Sequence, residues 1–295
     1  MDTTYLLLTF IRSDGNQLQM GCGCPLKVSK ISGIESPEYI VHTSSSAMEP
    51  GSYVTGKKAE ERVIEITFGI DDWRNREFYR SQVIHFFNPT HTFTLRLNWC
   101  YTQVQIECEL EKFQFDDVES MWNPSAGDIT LLCPYPYWSD LDNFGKNIAA
   151  ITSQWAWPVS FAATKSEHHE EGKIFGFKTF KNEVNLPNKG DVPTGIIIQF
   201  TAARGSVKNP KITKLSTGEY LRVLVEMQKG DILIIDTNKG KKNVKLNGEL
   251  ISRKLDKLST YFSIDGQDNI IQYDADENYT NLDVFLYYQS KYLGV

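Results

Sequence analysis

The sequence lacks the features that mark a membrane or exported protein. Charged residues interrupt every apolar run well short of the roughly 20 residues needed to cross a bilayer. The N-terminal segment MDTTYLLLTFIRSDG has no basic residue ahead of its short apolar run and no small-residue cleavage site after it. We therefore expect no membrane partner and no signal peptide, and the segment predicts a first β-strand.

Cysteine is scarce and unevenly placed. The chain has five cysteines, an odd number, and none lies after Cys133. This distribution does not resemble a disulfide framework and indicates a reducing compartment. Cys22 and Cys24 are separated by one residue, whereas zinc sites usually space a pair by two to four residues and need a second pair. We expect buried thiols rather than a metal site.

Positive charge is lacking in the first half of the chain. Residues 1–140 carry 11 Lys or Arg against 19 Asp or Glu, whereas residues 141–295 carry 20 against 18. An acidic surface repels the phosphates of nucleic acids, so the first half has no electrostatic support for gripping DNA.

Catalytic motifs are also missing. The sequence has no nucleophile elbow, no H-E-x-x-H and no Gly-rich turn from a strand into a helix. The pair Asp116-Asp117 lies in a turn-like context, where solvation explains it. His168 and His169 are adjacent, so on a strand they would point to opposite faces and could not converge on one ion. We expect no enzyme activity, no cofactor and no metal.

Period-two patterns dominate the first half. Apolar residues alternate in RVIEITFGI, HTFTLRLNW, QVQIECEL and DITLLC, which predicts strands with one buried side. Between the first two lies DDWRNREFYRSQVIHFFNP, which predicts one helix capped by Asp71 or Asp72 and stopped at Asn88-Pro89. Residues 42–61 are polar and without periodicity, which predicts a long loop or an extended hairpin.

The second half reads as short strands with tight connections. Strands are predicted from KIFGFKTF through TGIIIQFTA, DILIIDT and YFSID to the C-terminal LDVFLYYQSKYLGV, with no credible helix. Asn247-Gly248 between apolar runs predicts a two-residue hairpin. Many short antiparallel strands favour a sandwich or jelly roll.

The segment GDVPTG at residues 190–195 poses a choice between a phosphate-binding loop and a simple turn. A phosphate-binding loop needs a helix after it, with a Lys close by. The segment GIIIQF that follows is short and β-branched, so a strand is predicted instead. Asp191 and Thr194 can organise the turn through side-chain to backbone hydrogen bonds.

Several segments, in order, resemble the distal tail proteins (Dit) of long-tailed, siphovirus-type bacteriophages. The first half matches through GSYVTGKKAEERVIEITFGI, in which Arg62 precedes an Ile/Phe strand, then a helix ending in FFNP, then QIECELEKFQF and LLCPYPYW. The second half adds NKGDVPTGIIIQF, ILIIDTNKGKKNVKLNGE, YFSIDGQDNIIQY and YYQSKYLGV. DGQDN has an extra residue where the family's pattern has a Gly-Asp-Asn turn, and the 43–61 loop is Ser-rich.

The resemblance implies a mainly β fold in two parts. Residues 1–140 would form a split-barrel-like β domain with one α-helix, which assembles into a ring. Residues 141–171 would be a linker or first-strand region, and residues 172–295 would form a galectin-like antiparallel β-sandwich (jelly roll). The last residues could return to the N-terminal domain.

The resemblance also implies a structural function. A homohexameric ring, single or stacked, would lie at the distal end of the tail tube and join the tube protein to the tail-tip or baseplate hub. It would carry receptor-binding or adaptor proteins, while DNA passes through the lumen without specific binding. The protein would be made in the host bacterial cytoplasm and end in the virion. We expect contacts with neighbouring subunits in the 43–61 loop, at Met48, Tyr53, Lys57 and Lys58, because ordering a long polar loop costs entropy that a contact can offset.

The alternative is a carbohydrate-binding module that contacts the host cell wall through the C-terminal sandwich. Sugar-binding galectins resemble one another in an H-x-N-x-R strand, and this sequence has no match because no His follows His169. Trp155 and Trp157 could stack on a sugar ring, although aromatic residues near a domain junction more often belong to a core.

Overall fold

The computed structural model describes residues 5–45, 50–116, 126–141, 144–147 and 182–295. The chain divides into two compact units. The N-terminal unit comprises residues 1–142 with Gly190–Val192 and Ser290–Val295, and the C-terminal unit comprises residues 143–189 and 193–289. The expected mainly β fold is confirmed, and the described residues include one α-helix. No helix among them is long and apolar enough to span a membrane.

The N-terminal unit is built on a nine-stranded sheet with the order β2-β1-β7-β8-β9-β6-β3, to which β10 and β22 add beside β8. A separate ribbon contains only β4 and β5. The strands of this unit are β1 (Leu6–Arg12), β2 (Gln17–Gly21), β3 (Leu26–Ser32), β4 (Tyr39–Ser44), β5 (Tyr53–Ala59), β6 (Arg62–Ile70), β7 (Phe93–Trp99), β8 (Thr102–Phe115), β9 (Ala126–Cys133), β10 (Trp138–Asp140) and β22 (Lys291–Tyr292).

The long strand β8 joins two halves of this sheet. Its first half pairs with β7 and its second half with β9, with a bulge between Leu110 and Lys112. A bulge bends a strand and increases its twist, which allows one strand to serve two differently oriented sets of neighbours. The end strands β2 and β3 do not pair, so the sheet stays an open, split barrel.

Alternating strands fill the core of the N-terminal unit as predicted. The buried residues on the four predicted strands are Ile64, Ile66, Phe68, Ile70, Phe93, Leu95, Leu97, Val104, Ile106, Cys108, Ile129, Leu131 and Cys133. Because every second residue of a strand points to the same face, the period-two pattern was sufficient to identify them.

The predicted helix is present as α1 (Arg76–Phe86), but its predicted cap is wrong. Asn75 occupies the N-cap position without a side-chain cap. Asp72 instead accepts hydrogen bonds from the backbone N–H groups of Arg74 (3.1 Å) and Asn75 (3.3 Å), and so organises the turn before the helix. Val83 and Phe86 pack the helix onto the core.

The expectation of buried thiols holds for only part of the cysteines. Cys108 and Cys133 are buried, whereas Cys22 and Cys100 are exposed and Cys24 is half-buried. Cys22 directly follows the positive-φ residue Gly21, and Cys100 itself has a φ of 54°. Both exposed thiols therefore lie in turns, where no strand pattern directs them into the core.

The C-terminal unit is an antiparallel sandwich, as expected. One sheet has the order β11-β21-β13-β17-β18-β19, and the other has the order β12-β20-β14-β15 with β16 beside β14. The strands are β11 (Phe144–Asn147), β12 (Glu183–Pro187), β13 (Ile197–Ala202), β14 (Val207–Lys214), β15 (Tyr220–Arg222), β16 (Glu226–Met227), β17 (Ile232–Asp236), β18 (Asn243–Leu246), β19 (Glu249–Leu250), β20 (Asp268–Glu277) and β21 (Leu282–Tyr288).

Local predictions in this unit had mixed outcomes. Asn247 (φ 50°) and Gly248 (φ 89°) form the predicted two-residue turn between β18 and β19. The segment YFSID is not a strand, since its pairing is limited to a bridge between Ile264 and Thr194. The predicted strand KIFGFKTF lies outside the described residues.

The GDVPTG segment is a turn into a strand, as predicted. Its first three residues belong to the N-terminal unit, where the backbone N–H of Asp191 donates to the carbonyl of Lys291 (2.8 Å) and the Asp191 carboxylate accepts from the N–H of Leu293 (3.2 Å). A Cβ on Gly190 would lie 2.4 Å from the Lys291 carbonyl oxygen. The glycine therefore allows close approach to the C-terminal strand, and β13 follows instead of a helix.

We predict that Gly33→Ala destabilises the protein more than Gly15→Ala. Both glycines have a positive φ (80° and 91°), so both substitutions carry backbone strain of roughly 1–2 kcal/mol. A Cβ at position 33 would also lie 2.0 Å from the carbonyl oxygen of Val63, whereas position 15 has no atom within 4 Å. Urea denaturation of both variants measures the difference, and equal losses would contradict the close approach.

Candidate assembly interface

Strands β4 and β5 form an arm that exposes apolar side chains to solvent. They pair with each other from Tyr39↔Ala59 to Ser44↔Tyr53 and with no other described strand. The exposed large hydrophobic side chains on the arm are Tyr39 (44%), Ile40 (40%), Val41 (46%), Tyr53 (62%) and Val54 (54%). An isolated two-stranded ribbon is only marginally stable in water, and clustered exposed apolar groups mark interaction surfaces. The arm is therefore the candidate assembly interface.

The predicted contact residues lie largely on this arm. Tyr53 begins β5, and Lys57 and Lys58 follow on the same strand opposite Val41 and Ile40. All three predicted residues are exposed. Met48 lies outside the described residues. The segment chosen as a long loop or extended hairpin is thus a hairpin strand along most of its described length.

The other strand of the arm was missed. The sequence EYIVHT contains a β-branched pair and an aromatic residue, a usable strand signal. Its apolar residues do not pack against the core, because both faces of the ribbon are exposed. Its candidate role in assembly becomes apparent only in the folded structure, in which the segment lies outside the main sheet.

The base of the arm is fixed by a tyrosine pair. Burial, together with a hydrogen bond with Tyr39 at the start of β4, raises the pKa of Tyr137 to about 12. The backbone N–H of Glu60 donates to the carbonyl of Glu38 (2.9 Å), which closes the ribbon at the same end.

Arg62, which begins β6 directly after the arm, is buried with 3% exposure. Its Nε donates to the carbonyl of Pro136 (2.8 Å), and its Nη1 donates to the carbonyls of Gly33 (2.8 Å) and Glu35 (3.0 Å). Its Nη2 donates to the carbonyl of Leu293. We call Arg62 and these four carbonyl groups the Arg62 cluster.

The Arg62 cluster holds a cation with backbone carbonyls rather than with a carboxylate. Burial disfavours the charged form and lowers the pKa of Arg62. The guanidinium also lies 5.9 Å from the ring of Trp138, a favourable cation–π distance. Because guanidinium donates five hydrogen bonds in a fixed plane, one side chain can join three chain segments at the root of the arm.

The C-terminal residues complete this cluster within the N-terminal unit. Trp138 pairs with Tyr292 as β10 meets β22, and the backbone N–H of Val295 donates to the carbonyl of Ile34 (3.2 Å). A Cβ on Gly294 would lie 2.1 Å from the Glu35 carbonyl oxygen, so the C-terminal residues of the chain pack tightly against the segment that leads into the arm.

The outer face of the main sheet is acidic in part. Glu65, Glu109 and Asp128 lie on the side of β6, β8 and β9 opposite to the core, and Lys112 lies among them. Thr67 Oγ1 donates to Asp128 Oδ1 at 2.7 Å. On β6, β8 and β9 these carboxylates outnumber Lys112, whereas the neighbouring strand β3 adds the exposed Lys27 and Lys30 on the same side.

The remaining sequence hypotheses fall only partly within the described residues. Among the described residues, no group of three or more His, Cys, Asp and Glu side chains is placed to hold a metal ion. His168, His169, Trp155 and Trp157 lie outside the described residues.

Comparison with known sequences matches the C-terminal unit. Residues 189–292 match the family described as "Siphovirus-type tail component, C-terminal domain". This part of the chain is therefore similar to that domain. The resemblance to the distal tail proteins is thereby confirmed, and no match was found among curated protein sequences.

Solved structures share the fold of this chain along nearly its whole length. The Dit protein (gp 19.1) of phage SPP1 aligns with a TM-score of 0.67 at 11% identity, covering 97% of this chain and 99% of that chain. A chain of the phage P2 baseplate in its activated conformation with Ca aligns with a TM-score of 0.55 at 9% identity, covering 98% and 99%. The same baseplate with Sr gives 0.53 at 9% identity, covering 96% and 97%. At such low identity the likeness establishes the fold.

We predict that Arg62→Met lowers the free energy of unfolding of the protein by roughly 3 kcal/mol or more. Methionine fills a similar volume but leaves buried carbonyl oxygens without donors, each of which costs about 1–3 kcal/mol. Arg74→Met is the matched control, because Arg74 is exposed and its guanidinium stacks on Trp73 at the surface. Urea denaturation checks both variants. Equal stability of the two variants would show that the Arg62 cluster does not stabilise the unit.

Proposed function

We propose that the protein is a distal tail protein that forms a homohexameric ring at the distal end of a phage tail tube, where it acts structurally and not as an enzyme. The arm carries this proposal. A ribbon that exposes five large apolar side chains is unfavourable in a free monomer, because roughly 25 cal/mol is lost for each square ångström of apolar surface left in water.

The arm suits a ring because it would contact a different surface on the neighbouring subunit. In a head-to-tail interface, one patch of a subunit contacts a different patch of the next subunit, and repetition closes a ring when the rotation allows it. A projecting ribbon on one side of a compact unit suits such an arrangement. Lys57 and Lys58 would meet the acidic N-terminal unit of the neighbour, since residues 1–140 carry a formal excess of eight negative charges.

The remaining parts of the proposal follow from the family and the charge distribution. The ring would join the tail tube protein to the tail-tip or baseplate hub, and receptor-binding or adaptor proteins would dock on the C-terminal unit. The acidic face with Glu65, Glu109 and Asp128 would line the lumen, so that DNA passes without a stable contact. The protein would therefore reside in the virion.

Two measurements test the proposal directly. Imaging of the native virion should place six copies of this chain around the tail axis. Mass measurement of the protein alone and with its tail partners should detect a hexamer in at least one condition. A position off the axis, or a monomer under every condition, would contradict the ring.

We predict that Val41→Glu weakens ring assembly by about tenfold or more, because a charge replaces an apolar side chain at the proposed centre of the interface. Val41 lies opposite Lys57, so the new carboxylate keeps a favourable partner across the ribbon and the arm should remain folded. Leu215→Glu is the control, with a similarly exposed aliphatic residue (42%) in the C-terminal unit. Native mass spectrometry over a range of protein concentrations measures hexamer formation by the two variants. An unchanged hexamer would exclude the arm from the interface.

We predict that the double variant Glu65→Lys/Glu109→Lys makes assembled rings bind duplex DNA at least about tenfold more tightly at low salt, because lysines there release counterions from phosphates. The double variant Glu226→Lys/Glu249→Lys changes the net charge equally on the C-terminal unit. Electrophoretic mobility shift against salt concentration measures both. Equal affinities would place the acidic face away from the lumen.

A further inference from the structure

One edge of the C-terminal sandwich concentrates positive charge. Within residues 239–257 there are seven Lys or Arg against two Asp or Glu. All seven cations are exposed, on the β17–β18 turn, on β18 and on the segment after β19. We define this basic edge as Lys239, Lys241, Lys242, Lys245, Arg253, Lys254 and Lys257.

Few acidic residues lie within the segment that carries the basic edge. Of the two carboxylates in the segment, Asp256 lies 3.8 Å from Arg222, a cation outside the edge. Arg204, Lys208, Lys214 and Arg222, which form ion pairs with other carboxylates of the unit, also lie outside the edge. Residues 239–257 thus carry a formal excess of five positive charges (seven minus two), although residues 141–295 are close to neutral as a whole.

Exposed leucines lie among these cations. Leu250 is 68% exposed and pairs directly with Lys245 across β18 and β19, and Leu258 is 76% exposed next to Lys257. A polyanionic polymer is bound by cations alone or with aromatic stacking. Apolar side chains bordered by charge are instead the arrangement of protein–protein interfaces, in which a dry centre is surrounded by a polar rim.

We propose that the basic edge is the docking surface of the C-terminal unit for an acidic protein partner of the tail. The leucines would enter apolar positions on that partner, and its carboxylates would pair with Lys245, Lys254 and Lys257. This inference rests on the proposed docking role and names the chemistry of the partner and its place on the sandwich.

Carbodiimide cross-linking of intact tails tests the docking surface. The reagent joins a lysine amine to a carboxylate only where the two are in contact, so it reports lysine–carboxylate pairs directly. We expect cross-links from Lys245, Lys254 or Lys257 to Asp or Glu residues of another tail protein. Cross-links confined to this chain, or none at the basic edge, would overturn the proposal.

A charge-reversal pair supplies the matched control. In Lys245→Glu/Lys254→Glu we expect partner retention in reconstituted tails to fall by about tenfold and the remaining affinity to lose its salt dependence. Lys189→Glu/Lys229→Glu reverses two exposed lysines elsewhere in the same unit and should retain the partner. Equal retention by both variants would overturn the proposal, as would a loss of binding to a polyglycerol phosphate probe without loss of the protein partner.

The experiment separates this inference from the ring. Both lysine variants are first measured for hexamer formation. If the wild-type protein forms no hexamer, the ring proposal fails whatever the cross-links show. If the hexamer forms and the reversed basic edge keeps its partner, only the docking surface is wrong.

Discussion

The N-terminal unit depends on one buried cation. Arg62 holds carbonyl groups from residues 33–35, from Pro136 and from Leu293, and so joins the segment before the arm, the segment before β10 and the C-terminal tail. A buried guanidinium is costly unless its donors are satisfied, which makes the arrangement nearly all-or-none. The arm, β10 and β22 all lie next to chain segments that this side chain holds.

The described residues present two exposed surfaces with different chemistry. The arm exposes apolar side chains near the Arg62 cluster, where a rigid root reduces the entropy lost on binding. The basic edge of the sandwich instead relies on charge around two leucines. An apolar ribbon suits permanent contact between identical subunits, whereas a charged rim suits recognition of a different partner, since opposite charge guides association and rejects wrong partners. In the proposed function, self-assembly and docking would thus use separate surfaces of one chain.

Much of the fold could be predicted from the residues. Alternation identified the buried faces of β6, β7, β8 and β9, and Asn247-Gly248 identified its turn, because both signals are local. The strand prediction for YFSID was wrong because Phe262 and Ile264 are buried without belonging to a strand. Burial produces the same apolar pattern whether or not the backbone pairs.

The sequence by itself determined the β class, the core faces, the turn into β13 and the uneven charge, since each arises from neighbouring residues and the geometry of a strand. Only the tertiary structure decided that Arg62 meets Leu293, 231 positions away, and that β22 returns to the N-terminal unit. It also decided that Tyr39, Ile40 and Val41 stay outside the core. Exposure of an apolar strand depends on which distant residues fill the space around it, and no local pattern contains that information.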